Sequence, residues 1–520
     1  MIGKLLKMVK SSNKKRGRNI TVGTVVGMLL SCSSVMKADE FLWIRGNGEK
    51  IEYNTAITTD DKGNGGNWSN ANPYSERNTM ESGTYTNNIT LSGTDNGNSI
   101  GYGLRFSGDI NGLNFVNNGN INADLSISGS SYGMYVYSAE NMGDIENNGD
   151  IQAVASGGYS GSGIYISSSE KVGNIINNGN INTFTNDSYK SLYGIEITFF
   201  AKETGNVINN GNISAYSIAS DITSFSGMDL TTNNNIENNG SVLAGAPNDT
   251  SGDTLGVGGS GGGNVINNGD IRAYSGDESY GICTSKKRNI INNGSISAFA
   301  SDFTNYSNMR RGKFGIILSA GSKVGNVVNT GVIFGGGGII NFSGEGSIDS
   351  VSNCGMFILG FGDSIISAPD KVTQYKNYGM NITNVNSSTS DTAVNTDEHF
   401  VVALGDEAKD LAGTDGKIKV TMGYDENTEL TREMTIKNAE LDGDSGTAIA
   451  TDTIEFSGSE NYNNHILNGK YNTITVTGDG EIEGSVINAF GTAVLFGDSG
   501  KKLTLSGSIV NGGVSNILLE

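Results

Sequence analysis

Apolar and polar residues alternate along this chain in short runs, and Asn, Gly and Ser break the runs. Asn-Ile-Ile-Asn at 174–177, Asn-Ile-Asn-Thr-Phe at 180–184 and Tyr-Gly-Ile-Glu-Ile at 193–197 are typical. A period of two predicts strands, and no convincing helical period follows residue 38. The runs also recur as phrases: GDIENNGDIQ at 143–152, GNIINNGNIN at 173–182, GNVINNGNIS at 205–214 and GNVINNGDIR at 263–272. The glycine that closes each Asn-Asn-Gly, or its variant, falls at Gly119, Gly149, Gly179, Gly211, Gly240, Gly269, Gly294 and Gly331. Between these lies a second phrase, as in Tyr132-Gly133-Met134, Ser162-Gly163-Ile164, Tyr193-Gly194-Ile195, Ser226-Gly227-Met228 and Tyr280-Gly281-Ile282. A fixed period in this range defines a solenoid.

Three short strands and their turns fill each unit of about 30 residues, and a lone unit cannot bury its apolar face. Stacked, each strand pairs with its equivalents ~4.8 Å above and below. The fold class expected is therefore all-β: a right-handed parallel β-helix with coils of about 30 residues, preceded by a signal peptide. Ile176 is assigned to the dry internal column and Asn180 to the outside. The corner residues Asn147, Asn148, Gly149, Asn177, Asn178, Gly179, Asn209, Asn210, Gly211, Asn267, Asn268 and Gly269 are read as turn and ladder residues, not as a ligand site. Gly and Asn tolerate the positive φ that a sharp bend needs, and stacked Asn amides can hydrogen-bond one another. Four segments result: 1–38 signal peptide, 39–100 N-terminal cap and first coils, 101–340 regular repeats, and 341–520 an irregular continuation. Thr396–Leu411 is the one stretch with a short-helix pattern.

The first 38 residues change the picture from scaffold to exported scaffold. A basic stretch precedes the apolar run Ile20–Leu30, which is too short to span the ~30 Å of a bilayer's hydrocarbon core. This is the layout of a secretory signal peptide. Cleavage between Ala38 and Asp39 is favoured; the alternative is a lipobox-like Leu29-Leu30-Ser31-Cys32, with lipid on Cys32.

The 520 residues carry a net charge of −20, and removing the leader's eight Lys and Arg would leave −28. Such a surface repels nucleic acid and suits solubility. Cys283 and Cys354 lie in different repeats, so no disulfide framework or cysteine-based zinc site is implied. No cofactor is expected.

Candidate chemistry is thin. Gly443-Asp444-Ser445-Gly446 and Gly497-Asp498-Ser499-Gly500 imitate a serine-protease nucleophile, but the only histidines, His399 and His465, lack a triad context. Gly258-Gly259-Ser260-Gly261-Gly262 matches G-x-S-x-G without the strand-then-helix setting of a nucleophile elbow. Acidic residues read as scattered over turns, and no calcium array appears. The expectation is no catalysis. Segment length varies most between the Asn-Asn-Gly and Tyr-Gly phrases, which marks loops on one side. The largest, Ser297–Gly312 with Phe303, Tyr306, Arg310 and Arg311, is the candidate contact loop.

Residues 14–46 (KKRGRNITVGTVVGMLLSCSSVMKADEFLWIRG), the NPYSERNT and TYTNNITLSG stretches at 72–93, and the N-x-G-x-I repeats resemble bacterial autotransporter passengers. The resemblance implies type V secretion, an outer-membrane β-barrel and adhesion. No barrel strands are read within these 520 residues, so the barrel would act in cis if the chain is a fragment and otherwise in trans. The function expected is a surface-displayed or secreted stalk and adhesin that binds a host or bacterial cell-surface protein or glycan, with no nucleic-acid partner. The alternatives are a β-helical carbohydrate-active enzyme, or the same solenoid anchored through Cys32.

Overall fold

The computed structural model describes most of residues 42–519; residues 1–41, 55–77, 301–311, 385–399, 405–415, 437–446 and several shorter stretches lie outside the description. The Ala38–Asp39 junction, Cys32, His399 and the four candidate contact residues Phe303, Tyr306, Arg310 and Arg311 all fall outside it.

Three long sheets form a right-handed parallel β-helix. The first contains the Tyr-Gly strands, such as Ser160–Ser167, Ser191–Ile197 and Ser224–Leu230. The second contains three-residue strands such as Ile175–Asn177 and Val207–Asn209. The third follows the Asn-Asn-Gly corner, with strands such as Asn180–Thr185 and Asn212–Ser217. Each strand pairs in parallel with its copy one coil away: Ile175 stands opposite Val207, Ile181 opposite Ile213, and Ile195 opposite Met228. Those positions make one continuous Ile, Val, Leu and Met core. Burial of this apolar column is the main favourable term in the fold.

The column's phase differs from the sequence reading. Ile175 is fully buried, whereas Ile176 points outward and is only partly covered. The cause is Asn177. It lies two positions from Ile175, on the same side of a three-residue strand, and it is fully buried. Treating Asn177 as a surface turn residue shifts the strand's parity by one, and a one-residue shift exchanges the faces.

Positive φ does not explain the corner glycines either. Among the described residues, positive φ occurs at Asn111, Asn141, Asn464 and nine glycines, none of them Gly149, Gly179, Gly211 or Gly269. Close approach explains them: a Cβ on Gly179 would collide with the backbone carbonyl of Gly149 in the coil before, and one on Gly211 with that of Gly179. Neighbouring coils meet there backbone to backbone.

The stack continues past residue 340 with shorter coils, through Met356–Leu359 and Met380–Asn384. Within Thr396–Leu411, the helix candidate, Phe400–Leu404 is instead a strand, antiparallel to Met380–Asn384. At the other end Ile51–Asn54 runs antiparallel to Leu42–Asn47. Residues 447–519 form a second stack with its own core, including Phe456, Leu467, Ile474, Ile487 and Val494. The antiparallel hairpin Gly416–Asp425 and Thr428–Ile436 adjoins its first strand, Thr447–Thr451. Among the described residues, no helix is long and apolar enough to cross a membrane.

Candidate functional site

The Asn-Asn-Gly corner carries two side-chain ladders of opposite sense. In the inner one each buried amide donates to the coil that follows: Asn147 Nδ2 to Asn177 Oδ1 at 2.8 Å, Asn177 to Asn209 at 2.8 Å, and Asn267 to Asn292 at 2.8 Å. The second N–H of Asn177 reaches the carbonyl of Gly179 at 3.0 Å. The outer ladder donates to the coil before: Asn148 to Asn118 at 3.0 Å, Asn178 to Asn148 at 2.8 Å, Asn210 to Asn178 at 2.8 Å and Asn268 to Asn239 at 2.8 Å. A further row precedes the second sheet, where the backbone N–H of Asn174 donates to Asp144 Oδ1 at 2.7 Å and that of Asn206 to Asn174 Oδ1 at 2.9 Å. The polar positions of the repeated phrase thus bond to their equivalents in neighbouring coils. Buried amides need partners, and the repeat supplies them.

Aromatic and ionisable side chains gather instead on the outer face of the first sheet. One column there runs, in register, through Arg105, Tyr135, Tyr165, Glu196, Asp229, Gly258, Cys283 and Ile317. Its N-terminal part is aromatic. Tyr135 and Tyr165 stack with centroids 5.2 Å apart and planes 7° apart, and Tyr102 and Tyr132 lean on Tyr135 at 4.7 and 4.9 Å. Arg105 lies over the Tyr102 ring at 5.6 Å, within cation–π range.

Two carboxylates follow the rings. Glu196 and Asp229 sit directly opposite each other on adjacent coils. Burial pushes the Glu196 carboxyl up to about 7; the Ser162 hydroxyl, donating to its Oε2 at 2.7 Å, opposes the shift, and Asp229 adds to it. Burial raises Asp229 as well. A carboxyl held near neutrality beside a second one can keep or release a proton at physiological pH. Next comes Gly258, where the missing side chain leaves Leu255 and Asp229 as neighbours of the space a Cβ would take. Beyond it stands the half-buried Cys283, its thiol raised by burial and 3.6 Å from the Ser319 hydroxyl.

The sequence alone does not single out this column, because its acids read there as scattered over turns. Glu196 and Asp229 are 33 residues apart, but both fill the fourth position of the Tyr-Gly phrase, Tyr-Gly-Ile-Glu and Ser-Gly-Met-Asp. That shared slot was the available signal. The G-x-S-x-G run proves to be part of this face and the turn after it, with Ser260 Oγ 3.2 Å from Thr231 Oγ1. His465 is buried in the second stack, its Nδ1 2.7 Å from the carbonyl of Asn463. Among the described residues, no group of three or more His, Cys, Asp or Glu is arranged to hold a metal ion.

A parallel β-helix with a patterned outer sheet face is thus the class of protein at hand. Within it, residues 156–365 match the family model described as the BigA third pectate lyase-like domain. That match takes in Tyr165, Glu196, Asp229, Gly258 and Cys283. No curated protein matches the chain, and no solved structure does.

Proposed function

We propose that this chain is an exported, surface-displayed passenger whose β-helix serves as a stalk and adhesin, with no catalysis of its own. The observation that carries the reading is the uninterrupted run of parallel coils with an aromatic and acidic column held in register along one face. Such a surface is long and shallow, suited to contact with a cell-surface glycan or protein. The similarity to a domain of BigA supports a cell-surface or extracellular setting. Anchoring follows the autotransporter resemblance, through an outer-membrane barrel in cis or in trans. The test is binding of residues 39–520 to cells and to a glycan array, compared with the variant Tyr165→Ala/Glu196→Gln. Loss of binding in the variant supports the reading; absence of binding by the parent chain sinks it.

A second reading, a carbohydrate-active enzyme, is favoured by the Glu196–Asp229 pair and by the pectate lyase-like description of the matched domain. Turnover of a polysaccharide that disappears in both Glu196→Gln and Asp229→Asn would establish it over the first.

A further inference from the structure

The second stack sits on the Asn corner of the first. Asn468 Nδ2 donates to the carbonyl of Cys354 at 2.9 Å, Asn488 to that of Thr330 at 2.8 Å, and Asn511 to that of Asn293 at 3.2 Å. Chain order reverses across this contact, so the two stacks run antiparallel. The three acceptors hold one equivalent place in successive coils, the residue before the corner glycine. Coverage follows the contact: Asn293, Thr330 and Cys354 are buried, Asn268 is half-buried, and Asn239, Asn210, Asn178, Asn148 and Asn118 are exposed. The outward residues of the second sheet behave alike. Ile266 and Ile291 are buried, whereas Ile208 and Ile176 are only partly so.

The docking ladder and the exposed rail share one chemistry. Asn511 donates to Asn488 Oδ1 at 2.8 Å and Asn488 to Asn468 Oδ1 at 2.9 Å, each to the coil before, as the outer ladder of the first stack does. An Asn amide has two N–H groups. In the second stack one serves the ladder and the other crosses to a corner carbonyl. Along the exposed rail the ladder likewise uses one N–H of each amide. In Asn239 the other turns back to Glu237 at 2.8 Å, and in Asn178 to Glu146 at 3.3 Å.

We infer that the exposed rail from Asn118 to Asn239, with Ile176 and Ile208 beside it, is an interface for a second copy of this chain, rail against rail. Two copies related by a two-fold axis meet antiparallel, the direction already used within the chain, and each offers corner carbonyls of the kind that the amides of the second stack reach. The rail is continuous with the interface that the second stack occupies. Five coils at ~4.8 Å give a strip only ~20 Å long, which predicts weak, concentration-dependent association rather than a permanent dimer.

Sedimentation equilibrium of residues 39–520, from low micromolar to several hundred micromolar in order of magnitude, should show monomer giving way to dimer. Ile176→Glu/Ile208→Glu puts like charges across the two-fold axis and should weaken dimerisation at least tenfold. The folded content by circular dichroism should not change, since both side chains point away from the core. Asn178→Cys should form an interchain disulfide under mild oxidation. A parent that stays monomeric at every concentration overturns the inference. So does a dimer that the double variant leaves intact, or one that only Asn488→Asp abolishes, which would mean exchange of second stacks instead.

Discussion

The two stacks solve one problem with different margins. In the first, coils of about 30 residues surround a mainly aliphatic core that also holds Phe106, Phe115 and Phe357, and the buried Asn of each corner spends both N–H groups within its own stack. In the second, strands recur about every 20 residues, at Ile454, Ile474 and Val494. Its smaller core includes the rings of Phe456 and Tyr462, with centroids 5.7 Å apart. Its corner Asn residues make the ladder with one N–H and give the other to the neighbouring stack. A ladder that closes on itself makes a self-sufficient column; a ladder with a donor left over makes an adhesive one. The same phrase, Val-Ile-Asn at 207–209 and at 486–488, serves both ends.

The sharpest way to break this comparison is to place a charge in each core. Ile175→Asp should cost about 4 kcal/mol or more, because an unpaired carboxylate would sit in a dry column. Ile487→Asp should unfold the second stack and leave the first intact. Limited proteolysis mapped by mass spectrometry distinguishes the two; simultaneous loss of both stacks from Ile487→Asp would refute their independence. Ile176→Asp, one residue from the first, should stay within about 1 kcal/mol of the parent.

Next come the ladders. Asn177→Leu removes both the donor to the Oδ1 of Asn209 and the acceptor of Asn147 Nδ2, at a cost of about 1–3 kcal/mol. Asn178→Ala, on the exposed ladder, should cost about 0.5 kcal/mol or less. Hydrogen exchange at the corner amides reads the difference, and equal effects would erase the distinction between inner and outer rows.

The contact between stacks has a built-in reporter. Cys354 occupies the outward corner place where Asn178 is exposed, yet it is 1% exposed and its thiol is pushed up to about 12 by burial. Asn488→Asp should raise its rate of alkylation severalfold while the first stack keeps its circular dichroism. An unchanged rate would mean that something other than the second stack shields the thiol.

A further expected effect concerns pH. The Glu196 carboxyl binds its proton more tightly in the folded chain than in the unfolded one. Its contribution is therefore fully present below the ordinary glutamate range, falls as pH rises toward about 7, and is gone above that. The loss is on the order of 3 kcal/mol. Glu196→Gln should flatten the melting-temperature profile between roughly pH 4.5 and 7; an identical slope in the variant would place the titration elsewhere.

Much of this molecule could be read from the sequence, and its limits there are physical. The repeat fixes coil length and strand number, because only stacking can bury units so short. The phase of a three-residue strand is another matter. With Ile175 and Ile176 adjacent, pattern alone leaves two choices, and the decision lies with an Asn that is buried because its copies are stacked on it. Glycine likewise has two uses, positive φ and close approach, and sequence does not separate them; the Gly149–Gly179 contact does. The Glu196–Asp229 pair could have been found by aligning repeats and reading down the columns. The return of residues 447–519 onto Asn293, Thr330 and Cys354 could not, since it depends on contacts between positions 114 to 218 residues apart.

The antiparallel strands at the margins carry a last consequence. A stack of identical rungs is a one-dimensional crystal, and its end rung is a template on which a rung from any other molecule could grow. Phe400–Leu404 at one margin of the first stack and Gly416–Asp425 at one margin of the second run against the grain of the sheets they join. A reversed strand presents the wrong polarity to the next parallel coil, so that edge is a poor template for a further layer. At those two edges they act as terminators against the growth of a highly repetitive stack.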